Sequence, residues 1–339
     1  MIVGSGLVAG HKPWPELAGE AVETALAAAG LSRAEHVVLL LSREFSRQPG
    51  PAVLAAARAA GCLQVSGCTA SGLFTERGWQ IDQPAAAALV LADCPPGEAK
   101  ETTLCLSLTG HGTLPYDWQS GTPRAGLLEA DAATWQHGRL VEGGRSEIQL
   151  PARLGGLALS TGLRILGKAH TIEQSAAYEL RRVGGHSAVD SLYRALPAEL
   201  RDNPPLHQLV ALRRADEPAI AILTAHADGS LTLGAELAAG DPIHWAIRQP
   251  LASEQDMRQS LKTAAEASKR PDFALMFSCI GRGPLFYGDD DRDLLAFREQ
   301  FPDTPLLGAY GSGQIVPVGR HNHLFHNSVI TLLFESAHV

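Results

Sequence analysis

The sequence predicts an α/β fold of two pseudo-duplicated strand–helix–strand–helix–strand–hairpin units with mixed sheets, joined by a β-rich middle segment. Three observations carry this. The apolar run His36–Leu41 (HVVLLL) has a counterpart in Phe273–Phe277 (FALMF). Gly67-Cys68-Thr69-Ala70-Ser71-Gly72 has a counterpart in Gly308-Ala309-Tyr310-Gly311-Ser312-Gly313. Both segments continue the spacing G-x-x-x-S-G-x-x-x-x-x-G, matching Gly67, Ser71, Gly72 and Gly78 with Gly308, Ser312, Gly313 and Gly319. The offset is 236 residues at the apolar strands and 241 at the Gly–Ser segments. An insertion in a loop, Gly281–Gly288, accounts for the difference.

The first unit opens with a strand at Ile2–Val8 and a helix from Glu16 to Ala29. Val22, Leu26 and Ala29 share one helical face there, and Gly30 supplies the stop. His36–Leu41 has the unbroken apolarity of a strand buried on both faces. An Ala-rich helix follows at Ala52–Ala60, then strands at Leu63–Ser66 and Ala86–Ala92. The second unit is expected to open at Ile243–Ile247, followed by a helix from Ser253 to Lys269. The strand Phe273–Phe277, a helix introduced by Asp289–Asp293, and strands at Leu306–Leu307 and Val329–Phe334 complete it. Between the units, strands are expected at Thr102–Leu108 and within Gly167–Gly184, with a hairpin at Glu142–Arg145. A short helix is expected at Ala188–Leu196. Asp228-Gly229 between Ala219–Ala225 and Ser230–Leu233 is a second hairpin signal. The domain boundary is placed between residues 188 and 189.

Composition narrows the function classes. Hydrophobic residues make up 45% of the 339 and charged residues 19%, which excludes a disordered chain. A net charge of -8 argues against nucleic acid and anionic membranes, both of which need a cationic face. No apolar run reaches the roughly 18–20 residues that span a bilayer. Five cysteines without a C-x-x-C pair fit free thiols in a reducing compartment, so a cytoplasmic location is expected.

Most local motifs lack their required context. Gly4-Ser5-Gly6 precedes no nucleotide-binding helix. Asp289, Asp291 and Asp293 have no calcium-loop Gly or terminal Glu and read as an acidic helix start. His321, His323 and His326 cluster without a neighbouring Cys or carboxylate, so no metal is assigned. Arg282 lies in Gly-Arg-Gly at a strand end, a setting suited to clamping a carboxylate. It also stands three residues from Cys279, whose thiol a cation would activate, although a small buried hydrophobe is the plainer role for that cysteine. Tyr310, Ser312 and Gln314 form a polar set able to orient a small molecule. The paired glycines suit either tight turns needing positive φ or a ligand's close approach to the backbone.

Phe277-Ser278-Cys279-Ile280-Gly281-Arg282-Gly283, then Leu307–Ile315, then His326-Asn327 before the closing strand, resemble the FIST C-terminal domain. Gly67–Gly72, after the Val37–Leu41 strand, resembles the matching FIST N-terminal segment. The two likenesses give a FIST N-terminal-like domain at 1–188 and a FIST C-terminal-like domain at 189–339. The resemblance implies a sensory signal-transduction protein, not an enzyme, that binds a small ligand such as an amino acid or similar carboxylate. Its implied ligand residues are Ser278, Cys279, Arg282, Tyr310, Ser312, Gln314 and Asn327, completed by Cys68, Thr69 and Ser71. No cofactor is assigned. Alternatives are a heme-binding nitric-oxide sensor, from family precedent and 13 histidines, and a Cys279-dependent enzyme. Many members carry Glu where Gln314 stands. With no output module evident, the expected partner is a separate protein such as a kinase or cyclase.

Overall fold

The computed structural model describes residues 1–94, 104–214 and 216–336. Two units emerge: Met1–Thr161 with Met257–Val339, and Gly162–Asp256.

The first unit opens with β1 (Ile2–Ala9) and α1 (Glu16–Ala29). Leu17, Ala18, Ala21, Val22, Ala25 and Leu26 recur at helical spacing and form the buried face of α1, which ends at a left-handed Gly30. Next come β2 (His36–Ser42), α2 (Gly50–Ala60), β3 (Val65–Ala70), β4 (Gly72–Thr75), β5 (Gly78–Ile81) and β6 (Ala85–Ala92). β7 (Cys105–Thr109), β8 (Arg124–Leu128), β9 (Thr134–Gln136), β10 (Arg139–Leu140), β11 (Arg145–Ile148) and β12 (Arg153–Ser160) follow. The strand expected at Thr102–Leu108 is β7; Thr102 and Thr103 lie outside the described residues. No hairpin forms at Glu142–Arg145, because β10 pairs with β9 and β11 with β7.

Residues 162–256 carry β13 (Leu163–Ala176), β14 (Glu179–Val183), β15 (His186–Ser187), α3 (Ala188–Ala195) and β16 (Leu209–Leu212). β17 (Ile220–Ala225), β18 (Leu231–Leu233) and β19 (Pro242–Arg248) complete it. The antiparallel order β13-β19-β16-β17-β18-β14 closes through a further β13–β14 pairing, which leaves no open edge in that ring. The Asp228-Gly229 hairpin forms as expected between β17 and β18.

α4 (Pro250–Ala267) leads to β20 (Phe273–Cys279), α5 (Pro284–Tyr287) and α6 (Arg292–Gln300). β21 (Leu306–Gly311), β22 (Gly313–Val318), β23 (His321–Phe325) and β24 (Val329–Glu335) end the chain's regular structure. The segment expected as an insertion loop, Gly281–Gly288, instead holds α5.

The duplication is visible in strand order. One sheet runs β1-β6-β2-β3-β9-β10 and another β12-β24-β20-β21-β4-β5. β2–β3 and β20–β21 are parallel, whereas β1–β6, β12–β24, β2–β6 and β20–β24 are antiparallel. The second copy therefore opens with β12, not with Ile243–Ile247. That run is β19, which belongs to the closed sheet of residues 162–256 lying between β12 and α4 in sequence. A strand before a helix looks alike in either setting; pairing alone identifies its copy.

β2 and β20 are buried on both faces. Val38 and Leu40, with Phe273, Leu275 and Phe277, face a core shared by both copies. Val37, Leu39 and Leu41 face α1 and α2, while Ala274 and Met276 pack with residues of α4 and α6. The hairpins then cross over. β4 of the first copy pairs with β21 of the second, and β22 pairs with β8 of the third sheet, β11-β7-β8-β22-β23. This exchange brings the two Gly–Ser segments together.

Candidate functional site

Ser71 lies between β3 and β4, and Ser312 between β21 and β22, where each chain leaves one sheet for another. Their hydroxyls donate to opposite oxygens of one carboxylate: Ser71 to Glu129 Oε1 at 2.6 Å and Ser312 to Glu129 Oε2 at 2.7 Å. The Ser71 N–H also donates to the Tyr310 carbonyl at 3.0 Å. Glu129 follows β8, its N–H donating to the Thr109 carbonyl at 3.0 Å. All three site residues are half-buried. Sequence reasoning passed over Glu129, whose only local signal is an acidic side chain at the end of the apolar strand Ala125–Leu128.

The other expected ligand residues divide between this cluster and the interior. Cys68 is buried, and burial followed by the Glu129 charge pushes its thiol up. Thr69 Oγ1 accepts from Ser46 Oγ at 2.9 Å and the Ala133 N–H at 3.0 Å. Cys279 Sγ lies 4.0 Å from the Ser312 carbonyl, which also accepts from His326 Nδ1 at 2.9 Å. Because a carbonyl can only accept, that ring nitrogen carries a proton. Asn327 adopts φ +52° in the β23–β24 turn. Ser278 is fully buried within β20. Gln314 is fully buried too; its Oε1 accepts from Ser328 Oγ at 2.9 Å, while Nε2 has no hydrogen-bond partner among the described residues.

Arg282 and Tyr310 belong to a sealed polar network. Arg282 is 2% exposed. Its Nη1 donates to the Ser160 carbonyl at 3.0 Å, and its Nη2 to Ser160 Oγ at 2.8 Å and Asp293 Oδ1 at 3.0 Å. Tyr287 donates to the same Asp293 oxygen at 2.9 Å, and Tyr310 donates its hydroxyl to Asp291. Asp291 also caps α6 by accepting from the N–H groups of Asp293 and Leu294, both at 2.9 Å. The acidic cluster is thus a helix start, as expected. The uncrowded arginine expected from Gly-Arg-Gly is not found, because the guanidinium is drawn inward to Asp293 and Ser160.

Two buried carboxylates share this one guanidinium, so charge balance favours retaining a proton on the pair. Burial, moderated by Arg282 and reinforced by Asp291, pushes Asp293 up to about 7. Burial likewise raises Asp291. Burial and the facing Asp291 carboxylate hold the Tyr310 hydroxyl well above its usual range.

Of the repeated glycines, Gly319 takes φ +62° in the β22–β23 turn, as a tight turn requires, whereas Gly67 and Gly308 have a different cause from either expected one. A Cβ on Gly67 would fall 1.7 Å from the Leu39 carbonyl oxygen, and one on Gly308 would fall 2.0 Å from the Phe74 ring. Neither residue has positive φ. Close packing within the sheets excludes a side chain at both.

A shallow depression of ≈ 340 Å³ in residues 162–256 is lined by Gln174, Arg181, Arg182, Ser187, Asp228 and Ser230. Its arginines form exposed pairs with Glu179 and Glu173. His321 and His323 stack edge to face at 6.4 Å, and no group of three metal-ligating side chains occurs among the described residues. All five cysteines are free, and no helix among the described residues is long and apolar enough to cross a membrane.

Comparison with known proteins identifies a FIST C domain over residues 188–317, which includes Ser278–Arg282 and Gly308–Gln314. The chain is similar to the uncharacterized protein MT0656 of Mycobacterium tuberculosis, with 26% identity across 88% of this chain and 90% of that protein. It is also similar to the uncharacterized protein Mb0898c of Mycobacterium bovis, with 22% identity across 63% of this chain and 59% of that protein. The FIST domain points to a sensory signal-transduction role.

Proposed function

We propose that this chain is a FIST-type sensor that holds a small ligand at Ser71, Glu129 and Ser312. Ligand occupancy is relayed to a separate signalling protein, such as a kinase or cyclase. The observation that carries the reading is the convergence of both duplicated turns on one half-buried carboxylate. A ligand there touches both copies, so its binding changes how β3–β4 and β21–β22 are held. The Ser71 N–H to Tyr310 carbonyl bond links that seat to the strand carrying Tyr310, whose hydroxyl reaches the start of α6. Binding is placed at the turn cluster and not at Arg282, whose donors are engaged internally.

The test is a thermal-shift screen of amino acids and central metabolites, with hits confirmed by calorimetry. Wild-type protein is expected to bind at least one compound, and Ser71→Ala combined with Ser312→Ala is expected to weaken it at least tenfold. An unchanged affinity in the double variant removes the turn cluster from the function.

A further inference from the structure

The hydrogen bonds at the turns also specify the charge of what fits there. A serine hydroxyl has one proton and two lone pairs, and an ionised carboxylate only accepts. Ser71 and Ser312 both commit their protons to Glu129. Their oxygen lone pairs remain, as do further acceptor positions on the carboxylate. The Ser312 carbonyl beside them is another acceptor, already facing His326 Nδ1 and Cys279 Sγ. The seat therefore presents acceptors and negative charge.

No cation neutralises that charge among the described residues. The ion pairs formed by Arg43, Arg77, Arg124, Arg145 and Arg282 go to other carboxylates. Glu129 is half-buried, with two neutral hydroxyls in place of a charged partner. A ligand carboxylate would meet like charge and no free hydroxyl proton. An ammonium group instead brings three donors and one positive charge to a surface of acceptors.

We propose that Ser71, Glu129 and Ser312 form a seat for the protonated primary amine of a small ligand, with Glu129 as its counter-ion. This rests on the sensory reading above and narrows its ligand class from small metabolites to ammonium-bearing ones. Recognition centres on the amine, and a carboxylate elsewhere in the ligand is not required.

The experiment compares ethanolamine, putrescine, histamine and L-alaninamide with their mono- or di-N-acetyl derivatives, alongside the uncharged and carboxylate compounds of the screen above. Binding is measured by calorimetry at constant ionic strength. At least one free amine is expected to bind tenfold or more tightly than its acetylated form. Glu129→Gln is expected to abolish that preference, whereas Glu129→Asp and the Ser71→Ala/Ser312→Ala pair, which keep the charge, retain a preference for amines at reduced affinity. Circular dichroism checks that each variant is folded; if Glu129→Gln is not, the wild-type acetylation pairs and Glu129→Asp decide. Equal binding of amines and acetyl derivatives, or undiminished amine preference in folded Glu129→Gln, overturns the inference. So does binding confined to carboxylates or neutral compounds; if that binding is lost in the serine double variant, the sensory seat stands. If no compound of any class binds, both readings fall.

Discussion

Arg282 Nη2 and Asp293 Oδ1 lie 3.0 Å apart, with both side chains almost completely withdrawn from solvent. The pair joins the end of β20 to the first turn of α6, and Ser160 at the end of β12 completes the guanidinium's shell. Removing one partner of such a pair strands the other without water. Arg282→Ala is therefore expected to cost about 3–5 kcal/mol in urea unfolding, because two carboxylates remain buried without a cation. A loss below about 1 kcal/mol would show that the pair is open to solvent.

The same network sets a pH dependence. Asp293 is raised to about 7 from its ordinary 3.8, so between those values the folded state holds a proton that the unfolded chain releases. Stability from this group is full below about pH 3.8 and is lost as pH rises through about 7. Its slope approaches 1.4 kcal/mol per pH unit for one proton. Asp293→Asn, which cannot ionise, is expected to flatten this part of the curve. Urea midpoints between pH 4.5 and 7.5 check it; identical slopes for both proteins would refute the assignment.

Gln314 offers a contrast between polarity and charge. Its Nε2 is already desolvated without a partner, so Gln314→Leu loses little beyond the Ser328 hydrogen bond. A cost of about 1–2 kcal/mol is expected, because the buried Ser328 hydroxyl loses its acceptor while an already unpaired Nε2 is removed. Gln314→Glu places a carboxylate in the same buried position and is expected to cost more than about 2 kcal/mol at pH 7, with partial recovery on acidification. Chemical denaturation at pH 5 and 7 measures both.

Gly67 and Gly308 occupy matching positions but face different obstacles. At Gly67 the obstacle is the backbone carbonyl of Leu39 in the paired strand; at Gly308 it is the movable ring of Phe74. Gly67→Ala is expected to prevent normal folding or cost more than about 4 kcal/mol, since overpacking against backbone has no rotamer to relieve it. Gly308→Ala is expected to cost less and to regain stability when combined with Phe74→Leu. Melting temperatures of the three variants decide this; no recovery in the double variant would locate the strain elsewhere.

A mutant cycle isolates the link between the turns. Ser71→Ala and Ser312→Ala each remove one charge-assisted bond to Glu129, and both effects depend on the same carboxylate. Combining both with Glu129→Gln is expected to be non-additive by about 1 kcal/mol. Additive losses would mean that the hydroxyls act independently of Glu129.

The sequence by itself determined the repeated elements. His36–Leu41 and Phe273–Phe277 are continuous apolar runs, and Val22, Leu26 and Ala29 mark a helical face, because burial and periodicity are local properties. The matching Gly–Ser spacing likewise marked both turns before their positions in space were known. Only the tertiary structure decided that β12 opens the second copy, that β4 pairs with β21, and that Arg282 turns inward to Asp293. It also brought Glu129 to Ser71 and Ser312, 58 and 183 residues away along the chain. Strand pairing and hydrogen bonding depend on which distant segments approach once the cores have formed. No local periodicity encodes that approach, and the acidic residue joining the two copies therefore stood in the sequence without a motif to mark it.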